Sequence, residues 1–440
     1  MSRSSWRTPC STPTSRLRAR LAASLVAVAV SACGDAAPQA SSLTVLHAFD
    51  GSDGAWSRGS LTRVGTTLYG RTAIGGDANS GTVFRIAEDG SGFARLYSFS
   101  ASGDNGSGNQ PHHNAMLWLG DRLLGAALYG GNQRNDVPDR VTGDVASGPP
   151  TVQAGNGTLF TIRPDGSDYT VLLELDGGTS ASALPHSPPA LAPDGRTLYG
   201  MTSSGGAHGS GTLYTIGVDG SGYRLLHSFA AKDGDQPHGV LAFDSGGRLL
   251  GMTRKDGTPP NGGTGGGVIF RFDPTSGAYD VLHTFTQGDR SDGDTNDHGF
   301  LRLVDGVAYA TTELGGAALQ GTLFSIREDG SDFTILHSFG ATDGDGAKPF
   351  GSLLLLDGWL YGTTTKGGQK GDGTLFRFRI ADAAYEVLAS FDRKTSGAFP
   401  EDDLVASADG RFLYGLTQAG GVNDPDATAY DGTVFRFAVP

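Results

Sequence analysis

Leu360-Tyr361-Gly362-Thr363-Thr364, then Gly367-Gly368, then Gly373-Thr374-Leu375-Phe376 stand in order within residues 360–376. Each group recurs along the chain. The Gly-Thr-aliphatic-aromatic signature begins at Gly81, Gly157, Gly211, Gly321, Gly373 and Gly432, and Gly267-Val268-Ile269-Phe270 is a degenerate seventh copy. Tyr-Gly stands at Tyr69, Tyr199, Tyr361 and Tyr414, with weaker copies at Leu124-Gly125, Leu250-Gly251 and Tyr309-Ala310, again seven. A Leu-His-Ser-Phe signature closes each set, at residues 46–49, 96–99, 172–175, 226–229, 282–285, 336–339 and 388–391. Self-similarity at a fixed period decides the architecture before any single residue does.

One repeat shows the strand count. Residues 240–244, 248–253, 268–272 and 279–285 are short runs rich in β-branched and aromatic residues, separated by Gly and Asp. Such runs read as strands. Asp-Gly pairs at Asp89, Asp165, Asp219 and Asp329 suit tight hairpins. Four antiparallel strands over about 54 residues make a propeller blade. The expected fold is therefore all-β: a seven-bladed β-propeller with four antiparallel strands per blade. A lone fourth-type strand at residues 43–49 precedes the first set, and residues 432–439 supply a third type with no fourth. The first strand is expected to complete the last blade and close the ring, which removes the open strand edges.

These ordered motifs, with Asp-Gly-Ser and Asp-Gly-x-x-Pro between them, resemble the bacterial GloVer tandem repeat of choice-of-anchor proteins. The resemblance covers nearly all of residues 43–440. It implies an exported, surface-anchored protein and carries no assigned activity and no catalytic residues. Blade two departs from the pattern, with roughly 22 extra residues between Gly131 and Gly155. That insertion carries Arg134, Asp136, Asp139 and Arg140.

Residues 1–32 read as a lipoprotein signal peptide. Arg3, Arg7, Arg16, Arg18 and Arg20 precede an apolar run over residues 21–30, which is too short for a permanent span. The run ends in Val30-Ser31-Ala32-Cys33-Gly34, which resembles a lipobox with Cys33 as the lipidated residue. Residues 33–42 are then a short anchor linker, and Gly34 after Cys33 directs the sorting expectation to the outer membrane. A Cys with several acyl chains anchors stably. Removing five arginines and no acid takes the net charge from −13 to −18. That excludes nucleic acid as the expected partner. Cys10 and Cys33 are the only cysteines, so no disulfide supports the propeller. A monomer is the expected state.

Functional groups are expected on the loops that enter strand one, because long loops on a rigid scaffold collect binding residues. Strand one lines the central channel. Four successive blades carry His there: His112 and His113, His186, His238 and His298. Arg58, Phe350 and Glu401 take that place in blades one, six and seven, and the spacing at His186 is displaced by about two residues. These residues are the ligand-face candidates. His47, His227, His283 and His337 belong to strand four and read as blade packing. Asp292 with Asp294, and Asp343 with Asp345, place carboxylates at alternate positions, the pattern of a small Ca²⁺ loop. No EF-hand ligand set completes it, and Asp and Gly are also ordinary turn residues.

No G-x-S-x-G, H-E-x-x-H or P-loop occurs. The leading expectation is a non-catalytic binding module for a glycan or an envelope protein. The alternatives are a polysaccharide hydrolase or lyase using Glu401, Asp402 and Asp403 at the channel mouth, and a structural envelope protein.

Overall fold

Seven antiparallel sheets, each running strand one to strand four from the channel outward, form the blades of a propeller. The computed structural model describes residues 43–100, 108–111, 113–131, 155–177, 182–257, 265–286, 292–293, 300–401, 403–421 and 431–440. Among the described residues there is no α-helix. Cys33, the leader and linker, the blade-two insertion, His112, His298, Asp294 and Asp402 lie outside them.

Blade six shows the unit: Leu354–Leu356, Trp359–Gly367, Thr374–Arg379 and Tyr385–Ser390. Its period-2 alternation sends Leu360, Phe376 and Phe378 into the layer shared with blade five. Tyr361 and Leu375 enter the layer shared with blade seven. A blade therefore has no core of its own; neighbours build each core between them. Leu43–Ala48 pairs antiparallel with Thr433–Ala438, from Leu43 opposite Phe437 to Ala48 opposite Thr433. The first strand is thus the outer strand of blade seven, and the ring is closed.

Strand four ends in an aromatic that inserts into the next blade. Phe229 meets Phe270 at 5.3 Å and Tyr279 at 5.9 Å, both edge-on. The strand-four histidines stack on the aromatic that starts the next strand four: His227 on Tyr279 at 4.4 Å, His283 on Phe333 at 3.9 Å and His337 on Tyr385 at 3.7 Å. They are packing residues. An Asp from the following loop faces each ring edge, as Asp345 does His337 at 3.1 Å.

The Gly of Gly-Thr has a specific cause. Its φ is positive, +100° at Gly211 and +107° at Gly373. A Cβ there would also fall 2.6 Å from Pro237 Cδ and 2.8 Å from Pro400 Cδ of the next blade. The Pro of Asp-Gly-x-x-Pro thus rides on a bare backbone, and only Gly gives both the angle and the space. The residue before that Pro donates its N–H to the preceding blade: Gln236 to Ser210 O, Lys348 to Gln320 O and Phe399 to Asp372 O. Each entry loop is latched to two blades.

The Thr after that Gly pairs with the Thr ending strand two. Thr72–Thr82, Thr312–Thr322 and Thr364–Thr374 hydroxyls are 2.8 Å apart and buried. Blade two replaces the first partner by Ala127, opposite Thr158, and Thr158 Oγ1 is left without a partner. An unsatisfied buried hydroxyl is destabilising. Ala127→Thr is therefore expected to stabilise the protein by ~1 kcal/mol. Gly108 leaves beside it the space that Gly54 leaves beside Thr72. A urea midpoint that falls in the variant contradicts this reading.

Candidate functional site: the channel mouth on the long-loop face

Sheet register fixes which residues share a tier. The strand-one residues opposite the Tyr-Gly signature are Thr62, Leu117, Ala190, Ala242, Arg302, Leu354 and Val405. Four positions upstream stand Arg58, His113, His186, His238, Phe350 and Glu401; His298 has the same sequence offset in blade five but lies outside the described residues. His186 is therefore in register, and the displacement expected from the sequence is corrected. Pro188-Pro189 replaces the usual apolar lead into strand one and hides the alignment. The extra residue lies in blade two, where the register selects His113 rather than His112.

Side-chain contacts between successive blades trace this tier. Arg58 forks onto Glu401, Nε to Oε2 at 2.7 Å and a terminal nitrogen to Oε1 at 2.5 Å. The His113 and His186 rings are 5.8 Å apart, and His186 stacks on His238 at 4.0 Å. His113, His238, Phe350 and Glu401 are buried. The His186 ring is enclosed by protein although part of the residue reaches solvent. Burial, then the charges of Arg254 and Arg58, push its pKa down from 6.5 to about 3.

That depression has a sign for stability. The unfolded chain protonates this His near 6.5 and the folded chain only near 3. Stability is full above 6.5 and declines as pH falls toward 3. His186→Gln is expected to lose less stability than the parent between about pH 7 and pH 4.5. Urea midpoints that fall in parallel contradict this.

Below the ring the channel has a polar floor. Asn114 accepts from Ser187 Oγ at 2.5 Å and donates to Asp403 Oδ2 at 3.5 Å, joining blades two and seven past blade one. Asp403 Oδ1 accepts from Ser352 N at 2.6 Å, its own N–H donates to Ser60 Oγ, and Ser352 Oγ accepts from Phe300 N. Arg71, fully buried, holds this corner by donating to Ala126, His113 and Asn114 carbonyls at 2.8 Å. Sequence reasoning missed Arg71. Its signal was a cation at the x of Tyr-Gly-x-Thr, where other blades carry Ala126, Met201 or Leu416.

Glu401 and Asp403, considered as catalytic acids, spend both oxygens on protein donors. Of the carboxylates considered for calcium, Asp345 accepts from His337, Gly340, Gly346 and Tyr385, and Asp292 faces His283 at 3.6 Å. Asp343 is exposed. No group of three His, Cys, Asp or Glu among the described residues is placed to hold a metal. A separate pocket of about 250 Å³, lined by Trp118, Arg122, Leu191 and Val218, lies at the tight turns on the opposite face.

The chain is similar to several solved structures at low identity. TolB from Acinetobacter baumannii is 11% identical, with 84% of this chain and 80% of that chain covered and a TM-score of 0.41. A puromycin hydrolase is 14% identical, with 83% of this chain and 50% of that one covered and a TM-score of 0.47. A prolyl endopeptidase is 11% identical, with 89% and 50% covered and a TM-score of 0.48, so this chain spans half the length of those two enzymes. No curated protein matches the sequence. The Gloeobacter/Verrucomicrobia repeat matches residues 146–344 and 258–440, together well over half of the chain. Repeats, closure and match agree: the chain belongs to the Gloeobacter/Verrucomicrobia repeat family.

Proposed function

We propose that this protein is an exported, lipid-anchored binding module that takes a glycan or an envelope protein at the channel mouth of its long-loop face. One observation carries the reading. The scaffold repeats from blade to blade, but the residue four positions before the strand-one residue opposite the Tyr-Gly signature changes its chemistry from Arg to His to Phe to Glu. Blade six places Phe350 there, so the fold does not require a polar group at this position. Burying ionisable side chains costs free energy, and that cost is offset when a ligand uses them.

The anchor rests on the basic leader, the apolar run over residues 21–30 and Cys33. Cys33 is the acylated residue, residues 34–42 are the tether, and the outer membrane is the site. Labelled palmitate should enter the parent and not a Cys33→Ala variant; equal labelling contradicts the anchor.

Binding is tested by melting the mature protein with a panel of envelope and plant oligosaccharides and with purified envelope proteins. A ligand at a hundred times its Kd adds about 2.7 kcal/mol, a shift of a few degrees at this size. A shift present in the parent and lost in Phe350→Ala supports the mouth as the site. No shift with any ligand removes the support.

A further inference from the structure

The residue two positions before the Tyr-Gly signature stands at the head of strand two, on the tight-turn face. In blades five, six and seven it is Val307, Trp359 or Phe412, and each packs into the layer shared with the next blade. Blade two has Arg122 at this position. Blade four also has an arginine, but Arg248 Nε donates to the buried Asp244 at 2.7 Å. Arg122 is held more loosely. One terminal nitrogen lies 3.3 Å from Thr161 Oγ1, and Nε lies 3.6 Å from the exposed Asp121.

The seam between blades two and three is accordingly open. Its cavity of about 250 Å³ is lined by Leu119, Leu191 and Val218 together with Arg122, Asp121 and Asp219. A Cβ on Gly195 would meet nothing within 4 Å, whereas Gly410, the same turn residue in blade seven, lies against Leu356 of blade six. An apolar cavity of roughly 150 Å³ holds a benzene ring. The open seam therefore has room for the ring that Trp359 supplies between blades six and seven. Trp359 carries the Arg377 guanidinium over its face at 4.0 Å, and Arg122 offers a bound ring the same contact.

Charge selects the rest of the ligand. Arg122 against Asp121 and Asp219 leaves the lining with one negative charge, in a chain at −13. A cation is drawn to such a site. Asp219 Oδ1 accepts from Ser221 N and Oγ at 3.0 Å and 2.7 Å, and Oδ2 accepts from neither. The Ser221 hydroxyl, then its N–H, holds the Asp219 carboxyl below its ordinary pKa, so the group stays ionised.

We propose that the seam between blades two and three binds a small aromatic amine, with the ring against Leu119, Leu191 and Val218 and the ammonium donating to Asp219. An ammonium–carboxylate hydrogen bond is of the strong, charge-assisted kind. This site lies on the tight-turn face and is independent of what the mouth binds.

Calorimetric titration of the full mature protein tests this, with phenethylamine, phenethyl alcohol, phenylacetate and butylamine as probes. Phenethylamine is expected to bind at least ~10-fold more tightly than phenethyl alcohol, a difference of ~1.4 kcal/mol. Phenylacetate should bind more weakly still, and butylamine, which has no ring, should not bind detectably. Asp219→Asn keeps an acceptor for the Ser221 turn and should lose about 10-fold for phenethylamine and nothing for the alcohol. Arg122→Phe fills the seam as Phe412 does in blade seven, and should abolish binding with no fall in the melting midpoint. Asp329→Asn, at the same turn position in blade five, should change nothing. Should Arg122→Phe melt early, Asp219→Asn carries the test alone. Phenethyl alcohol or phenylacetate binding as tightly as phenethylamine overturns the ammonium contact. Butylamine binding as tightly overturns the ring seat. No binding of phenethylamine, or binding untouched in a folded Arg122→Phe variant, overturns the site.

Discussion

Removing residues 43–49 is expected to abolish the monomeric, cooperatively melting state of the protein. Leu43–Ala48 is the whole outer strand of blade seven, paired through five residues with Thr433–Ala438. Without it that strand presents unpaired N–H and C=O groups, the template on which chains pair with each other. Phe49 is lost with it. Its ring is fully buried, edge-on to Phe84 at 5.2 Å, in the layer between blades seven and one. The deletion therefore opens an edge and a cavity at one seam. Light scattering should report oligomers or aggregates, and the melt should broaden or vanish. A monomer with an unchanged midpoint would refute the closure as a stabilising element.

The second large effect is expected at Phe229. The side chain is fully buried and packs edge-on against His227 at 5.0 Å, Phe270 at 5.3 Å and Tyr279 at 5.9 Å. Phe229→Ala should cost ~3–5 kcal/mol, because blades held apart by their own hydrogen bonds collapse little into the space. Leu175 takes the corresponding place at the end of strand four in blade two and is also buried. Phe229→Leu should accordingly cost less, ~1–2 kcal/mol. Urea midpoints separate the two variants, and a loss under ~1 kcal/mol for Phe229→Ala would mean that the layer repacks freely.

Much of this fold was legible because each blade signature marks a contact that recurs. Gly-Thr marks a backbone on which the next blade's Pro rides, and Leu-His-Ser-Phe marks a strand whose last ring enters the next blade. The closure was legible because a fourth-type strand at residues 43–49 precedes the first full set. The mouth was legible in part. The periodic Pro-His pairs marked the loops that enter strand one, but the register at His186 was hidden by Pro188-Pro189, and sheet pairing was needed to fix it. The floor was not legible. Asn114 and Asp403 are 289 positions apart and meet only because the ring closes. No local pattern encodes that contact, and although Arg71 stands out as a cation within Tyr-Gly-x-Thr, the backbone carbonyls it binds leave no sequence trace.

The mouth depends on the seam, since Arg58 of blade one reaches Glu401 of blade seven only in a closed ring. Thr44 stands opposite Arg436 across that seam. The measurement is disulfide formation in a Thr44→Cys, Arg436→Cys double variant of residues 41–440, which has no other cysteine. Opposite strand residues lie within the ~4.4–6.8 Å between Cα atoms that a disulfide needs. Near-complete oxidation within the monomer, with a raised melting midpoint, is the predicted result. Free thiols, or disulfides only between chains, would show that the ring is not closed by its first strand and would contradict the mouth built upon it.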